Sequence, residues 1–217
     1  MMSLSGYANR RDAGLRLAKL LTTYAGRGDV VVLGLPRGGV PVAAEVARAL
    51  RAPLDVFIVR KLGAPWQPEL ALGAIAEGGL EVRHAEAMHA LGVSDADLDR
   101  VAERERDEVV RRSAAYRGST PPTPLAGRWI VIVDDGLATG STMEAAIAAV
   151  RTQGPAGIVV AVPVGAPDTC ARLAPAVEAL VCPLQPRGFD AVGEWYSDFS
   201  QTTDDEVRRL LSAAETA

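Results

Sequence analysis

An α/β fold, built on a mainly parallel central sheet with helices on both faces, is the architecture this sequence predicts. Two observations carry that expectation. Runs such as Val30–Gly34 and Ile130–Val133 are apolar at every position, as strands buried on both faces require. These runs also alternate along the chain with patterns of helical period, the rhythm of strand–helix–strand crossovers.

Taken in order, the first strand is Val30–Gly34, followed by the turn Leu35-Pro-Arg-Gly-Gly39 and a helix from about Val40 to Leu50. Pro53 marks the entry to a second strand, Leu54-Asp-Val-Phe-Ile-Val59. The third, Arg128-Trp-Ile-Val-Ile-Val133, leads into a helix from Ser141 to about Gln153. Gly157–Val162 and Ala176–Val181 supply the fourth and fifth, separated by an alanine-rich helix after Pro167. Ligands of such sheets bind beyond the carboxyl ends of the strands, which puts Arg37, Arg60-Lys61 and Asp134-Asp135 on one rim.

Two regions break the rhythm. Between the second and third strands, Leu70–Val82 reads as a hairpin turning at Gly78-Gly79, and a charged helix starts at Ser94, where Ser94 and Asp97 have capping-box spacing. Asp107/Arg111 and Glu108/Arg112 pair at i,i+4 on that helix and mark a solvated face. The tail from Pro183 to Ala217 is aromatic at first and ends in a short helix from about Asp204. Residues 1–217 therefore read as one domain, with 63–120 an insertion and 183–217 a separate cover.

The chain of 217 residues is 48% hydrophobic and 23% charged, which excludes a disordered polymer, and its net charge of −4 argues against general nucleic-acid binding. No stretch has membrane-spanning length or the continuous apolar run of a signal peptide. Cys170 and Cys182 suit a reducing interior as two small buried hydrophobes, so the expected location is the cytoplasm. His84 and His89 would fall on different faces of a helix with no cysteine nearby, which argues against a structural metal site.

The chemistry concentrates in Ile130-Val-Ile-Val-Asp-Asp-Gly-Leu-Ala-Thr-Gly-Ser-Thr142. A glycine-rich turn from strand into helix offers backbone N–H groups at the positive helix end, a cradle for phosphate. Thr139, Ser141 and Thr142 add hydroxyls. Asp134 and Asp135 repel an anion and instead suit neutral hydroxyls or a divalent cation. One ligand satisfies both halves: a phosphorylated ribose that also carries a diphosphate.

The same residues resemble the signature of type I phosphoribosyltransferases: four apolar residues, two acids, two loose positions, a small residue, Thr-Gly, any residue, then Thr or Ser. The resemblance implies a phosphoribosyltransferase-like fold that transfers the 5-phosphoribosyl group of phosphoribosyl diphosphate (PRPP) to a nitrogenous acceptor, a nucleobase or related ring, and releases diphosphate. It implies that Gly136, Leu137, Ala138, Thr139, Gly140, Ser141 and Thr142 wrap the 5-phosphate while Asp134 and Asp135 face the ribose hydroxyls. Mg2+ would be held mainly by PRPP, with Asp134 and Asp135 within reach. Gly34-Leu-Pro-Arg-Gly-Gly39 resembles the diphosphate loop, so Pro36, Gly38 and Gly39 would line it and Arg37 would grip the leaving group. Arg60 and Lys61 stand where relatives place a diphosphate-contacting lysine, and the region from Gly63 to Arg83 stands where they carry a mobile lid. Leu62 to Leu80 nevertheless holds no Lys or Arg.

Residues 183–217 would then be the hood over the acceptor, with one of Trp195, Tyr196 and Phe199, Trp195 or Tyr196 foremost, stacking on its ring. Arg60–Gly79 further resembles a subgroup of predicted bacterial phosphoribosyltransferases whose acceptor is undefined. The acceptor and the oligomeric state, a homodimer included, stay open. The alternative is a catalytically inactive PRPP-sensing regulator on the same fold.

Overall fold

The computed structural model describes residues 6–215; positions 1–5 of the basic N-terminal stretch and 216–217 lie outside it. In chain order the elements begin with α1 (Arg10–Ala18), β1 (Val30–Gly34), α2 (Gly39–Leu50), β2 (Leu54–Val56), β3 (Val59–Ala64), β4 (Gln67–Ala76) and β5 (Leu80–Arg83). They continue with α3 (Ala85–Leu91), α4 (Asp95–Arg117), β6 (Trp129–Val133), α5 (Ser141–Arg151), β7 (Gly157–Ala161), α6 (Pro167–Leu173), β8 (Ala179–Val181) and α7 (Asp204–Glu215).

The central sheet is parallel throughout, in the order β2-β1-β6-β7-β8. β1, β6, β7 and β8 are apolar at every position because successive side chains serve opposite faces, and β2 carries one acid, Asp55. Val30, Val32, Val131, Val133, Val159 and Ala161 share a core with α1, α2 and α7. Val31, Leu33, Ile130, Ile132, Ile158 and Val160 share the other with α5 and α6. Fully buried Leu33, Ile130 and Ile132 each contribute roughly 1.5–3 kcal/mol of hydrophobic stabilisation.

The expected second strand, 54–59, is in fact two. β2 ends at Val56, and β3 joins a separate antiparallel sheet in the order β3-β4-β5. The reason lies in β1, which ends at Gly34; there Leu35 N–H turns to Val133 O at 2.9 Å. Beyond Phe57, whose N–H takes Gly34 O, no β1 backbone remains to pair with. β4 provides a new edge, with Val59 opposite Ala76. The β4–β5 hairpin turns at Gly78 and Gly79, both at φ +77°, as the sequence predicts. α4 packs on one face of this small sheet and α5 on the other. α4 begins with the expected capping box between Ser94 and Asp97, and Glu108 pairs with both Arg111 and Arg112.

A buried charge cluster fastens the insertion to the central sheet. Arg117, at the end of α4, donates to Asp55 of β2 at 2.7 Å and to Glu77 of the hairpin at 2.8 Å. The three side chains are 5%, 9% and 7% exposed. Asp55 also accepts from Thr123 N–H at 2.9 Å. On the far side, Tyr116 OH donates to Asp204 at 2.9 Å and links α4 to α7. Among the described residues no helix is long and apolar enough to cross a membrane.

Candidate active site

β1 and β6 are neighbours, with Gly34 opposite Val133. The helix after β1 belongs to one face of the sheet and the helix after β6 to the other. The loops leaving these two strands therefore diverge and open a crevice at their carboxyl ends, where doubly wound sheets bind ligands. Residues 35–38 form one wall and residues 134–140 the other.

The walls touch through glycine. A Cβ on Gly38 would lie 1.9 Å from Asp135 Oδ2, and one on Gly39 would lie 2.7 Å from Val133 O and 3.0 Å from Asp134 Oδ1. Asp134 Oδ1 accepts the Asp135 N–H at 2.9 Å, which fixes the first acid against the second. Burial, and then the neighbouring Asp135, push the Asp134 carboxyl well above the ordinary value. Asp135 is raised too, mainly by burial, with Arg10 acting in the opposite direction.

Arg10 opens α1, where a cation meets the positive end of the helix dipole. Its Nε donates to Asp135 Oδ2 at 2.8 Å, Nη2 lies 2.8 Å from the same oxygen, and Nη1 donates to Ser200 O at 2.7 Å. The guanidinium sits 3.9 Å above the Phe199 ring. Arg11 is compensated similarly by Glu45, at 3.2 Å. Two arginines in a first helical turn were the available sequence signal for a nearby acid, and sequence reasoning left it unused.

The expected cradle, Gly136 to Thr142, runs from β6 into α5. Leu137 is buried and bridges Gly165, donating to Val164 O and accepting from Ala166 N–H. Thr169 Oγ1 donates to Ala138 O at 2.7 Å, and Arg172 Nη2 to Thr139 O at 2.8 Å. A planar trans peptide places its N–H opposite its carbonyl. Holding those two carbonyls toward α6 therefore turns the Thr139 and Gly140 N–H groups away from it. Among the described residues, the N–H groups of Thr139 to Met143 have no recorded hydrogen-bond partner. Gly140 adopts φ +78° at the helix N-cap, and Ser141 and Thr142 follow it. This is a bowl of donors at a positive helix end. Thr169 and Arg172, which orient it, come from α6 and were not singled out from sequence.

Other expected residues lie elsewhere. Arg60 is inside β3 rather than at the end of a parallel strand, and it pairs with Glu105 of α4 at 2.6 Å. Lys61 is on the opposite strand face, the one it shares by alternation with Val59 and α5. Arg37 follows a cis Pro36–Arg37 peptide and points toward Asp204, 3.8 Å away. Tyr196 is only 7% exposed and donates its hydroxyl to Asp135 O at 2.5 Å, so its ring is a brace for the acid pair and not an open stacking surface. Trp195 is half-buried, and its backbone carbonyl accepts from Tyr7 N–H at 2.7 Å. The tail reaches the cradle through Val192, whose side chain would meet a Cβ on Gly136 at 2.4 Å.

The model of the phosphoribosyl transferase domain family matches residues 9–177. The chain belongs to the phosphoribosyl transferase family. Two Mycobacterium tuberculosis proteins, from strains CDC 1551 / Oshkosh and ATCC 25618 / H37Rv, are provisionally named phosphoribosyl transferases. Each is 48% identical to it over 208 residues, 96% of this chain and 47% of their own. The chain thus spans about half the length of the curated relatives it matches. The crystal structure of TT1426 from Thermus thermophilus is similar at 46% identity, covering 95% of this chain and 97% of that one, with a TM-score of 0.87. The phosphoribosyl transferase match begins at residue 9, so it takes in both Arg10 and the acid pair.

Proposed function

We propose that this chain transfers the 5-phosphoribosyl group of PRPP to a nitrogenous acceptor, a nucleobase or related ring, and releases diphosphate. The observation that carries the reading is the junction of Asp134-Asp135 with a bowl of N–H donors turned outward by Thr169 and Arg172. Acids for hydroxyls and amides for phosphate, adjoining on one loop, match a ribose 5-phosphate.

In the reaction the acceptor nitrogen lone pair forms a bond to C1 as the bond from C1 to the diphosphate oxygen breaks, and the electron pair leaves with diphosphate. C1 becomes cationic along the way, near Asp134 and Asp135. Residues 136–142 hold the far phosphate, and remote binding of that kind fixes the reacting carbon. In the 35–39 loop, Leu35 and Gly39 N–H are spent on Val133 O and Leu35 O and Pro36 has none, so the Arg37 and Gly38 N–H groups are the ones left for the leaving group. Arg37, half-exposed and 3.8 Å from Asp204, makes only a weak ion pair and is free to turn onto the diphosphate. Mg2+ would neutralise the leaving oxygens. Asp134 and the remaining oxygen of Asp135 fit an ion that takes one or two carboxylates and draws its other ligands from substrate and water.

On this reading the chain is one domain, residues 63–83 of the 63–120 insertion close as a lid, and 183–217 form the hood over the acceptor. The two free cysteines support a reducing, cytoplasmic setting. The test is incubation with PRPP, Mg2+ and a panel of bases and amines, following diphosphate release. Asp134→Asn with Asp135→Asn should abolish turnover and leave the circular dichroism spectrum unchanged. Undiminished turnover in that double variant rules the assignment out.

A further inference from the structure

We infer that Arg10 is a positioning residue for the acid pair: it grips Asp135 through one oxygen, leaves the other for the PRPP site, and ties that acid to residues 199–200 of the tail. The inference rests on the PRPP reading above and adds to it a residue outside the signature loop.

The geometry is that of a placed group. Nε and Nη2 converge on Oδ2 of Asp135, both at 2.8 Å. A fork-to-fork pair would engage both carboxylate oxygens; here both donors converge on Oδ2, and among the described residues no side chain hydrogen-bonds to Oδ1. The remaining Nη1 is spent on Ser200 O at 2.7 Å, and the flat face of the guanidinium is spent on Phe199. The side chain is 12% exposed, far below what a solvated arginine at a helix start shows. Every face of the group is thus assigned to the site or the tail, although its helical position disfavours a cation.

Lysine cannot reproduce this arrangement. An ammonium is a point charge, without the planar fork that chelates one oxygen, donates sideways and stacks on a ring. Gly38 closes the arrangement from above: its missing Cβ would lie 1.9 Å from Asp135 Oδ2 and 3.2 Å from Arg10 Nε. The acid, the arginine and the diphosphate loop are therefore in mutual contact, and the tail joins them through Ser200, Phe199 and the Tyr196 hydroxyl on Asp135 O.

The charged and titratable groups facing Asp135 are Asp134 on its own loop, Arg10 of α1, and Tyr196 of the tail; Tyr7, ahead of α1, stands behind Tyr196. Arg10 is the cation among them and favours the ionised acid.

The experiment compares wild type, Arg10→Lys and Arg10→Gln by PRPP calorimetry, by diphosphate-release kinetics and by thermal melting. Arg10→Gln should lower kcat per folded molecule by about 10- to 100-fold, the range usual for removing a group that orients a ligating one. Arg10→Lys should recover little of kcat, because charge returns without geometry. A merely structural arginine would lower the melting temperature and leave PRPP affinity and kcat per folded molecule unchanged in both variants, and that result overturns the inference. Wild-type protein that neither binds PRPP nor releases diphosphate overturns the underlying reading and the ribose role with it. Wild-type kcat in Arg10→Lys, with active wild type, overturns this inference alone.

Discussion

Gly38 and Asp135 are in contact across the crevice so closely that a Cβ on Gly38 would stand 1.9 Å from Asp135 Oδ2. Gly38 has φ −62° and ψ −31°, a helical conformation open to any residue. Its requirement for glycine is therefore a matter of space and not of backbone freedom. Gly38→Ala should displace Asp135, break its pair with Arg10, and destabilise the protein by roughly 1–3 kcal/mol, as overpacking does. PRPP affinity should fall with it. Calorimetry showing wild-type PRPP affinity in Gly38→Ala would mean that Asp135 does not need its position for binding.

Asp134 predicts a trade between stability and function. Burial and Asp135 raise its carboxyl above the unfolded value of 3.8. The folded protein then holds that proton more tightly than the unfolded chain does. Stability from this group is lost as pH rises from the unfolded value through the folded one, and the loss is complete above it. Asp134→Asn is neutral throughout and escapes the loss. The variant should melt higher than wild type at pH 8, by about 2–4 °C for each kcal/mol recovered, and the two curves should converge toward pH 4. Equal melting temperatures across that range would show that the carboxylate costs the fold nothing.

What could be read from sequence follows from how local each signal is. The strands around Val30 and Ile130 were legible because burial on both faces leaves an apolar residue at every position. The loop 134–142 was legible because acids, glycine turn and hydroxyls are contiguous. The break between β2 and β3 was not, since Leu54–Val59 is apolar or strand-like almost throughout and its division is set by the length of β1, a different segment. Arg10 reaches Asp135 across more than a hundred residues, and Thr169 and Arg172 reach the cradle from another helix. Such pairings have no sequence period. Tyr196 was noticed as an aromatic, but whether its ring is open or buried depends on Tyr7 and Phe199, which flank it at 5.5 and 5.0 Å.

Arg117 should be among the costliest positions to truncate. Arg117→Met keeps the length and apolar stem but leaves Asp55 and Glu77 buried without their cation. Removing one partner of a buried charge cluster costs roughly 3–5 kcal/mol. Urea unfolding should show a lower midpoint with an unchanged slope. Adding Asp55→Asn and Glu77→Gln to the same variant should recover part of the loss, since the stranded charges are then gone. A triple variant no more stable than Arg117→Met would shift the explanation from charge to packing.

Thr169 and Arg172 offer a test of the cradle that leaves its own residues untouched. Thr169→Val keeps the shape of the side chain and removes the hydroxyl from Ala138 O; Arg172→Met removes the donor to Thr139 O. Each loss should cost the fold about 1 kcal/mol, the net value of one hydrogen bond. The larger effect should be on ligand binding, because the two peptide planes that present the Thr139 and Gly140 N–H groups are then free to rotate. The 5-phosphate is remote from the bond being broken, so the variants should raise KM for PRPP, about tenfold together if roughly 1.4 kcal/mol of phosphate binding is lost. If that binding is uniform along the reaction, kcat should change little. Inorganic phosphate, which samples the cradle alone, should weaken in parallel. A fall in kcat with KM unchanged would place these residues at the reacting carbon instead, and parallel wild-type values for both ligands would mean that the loop holds its N–H groups outward without help from α6.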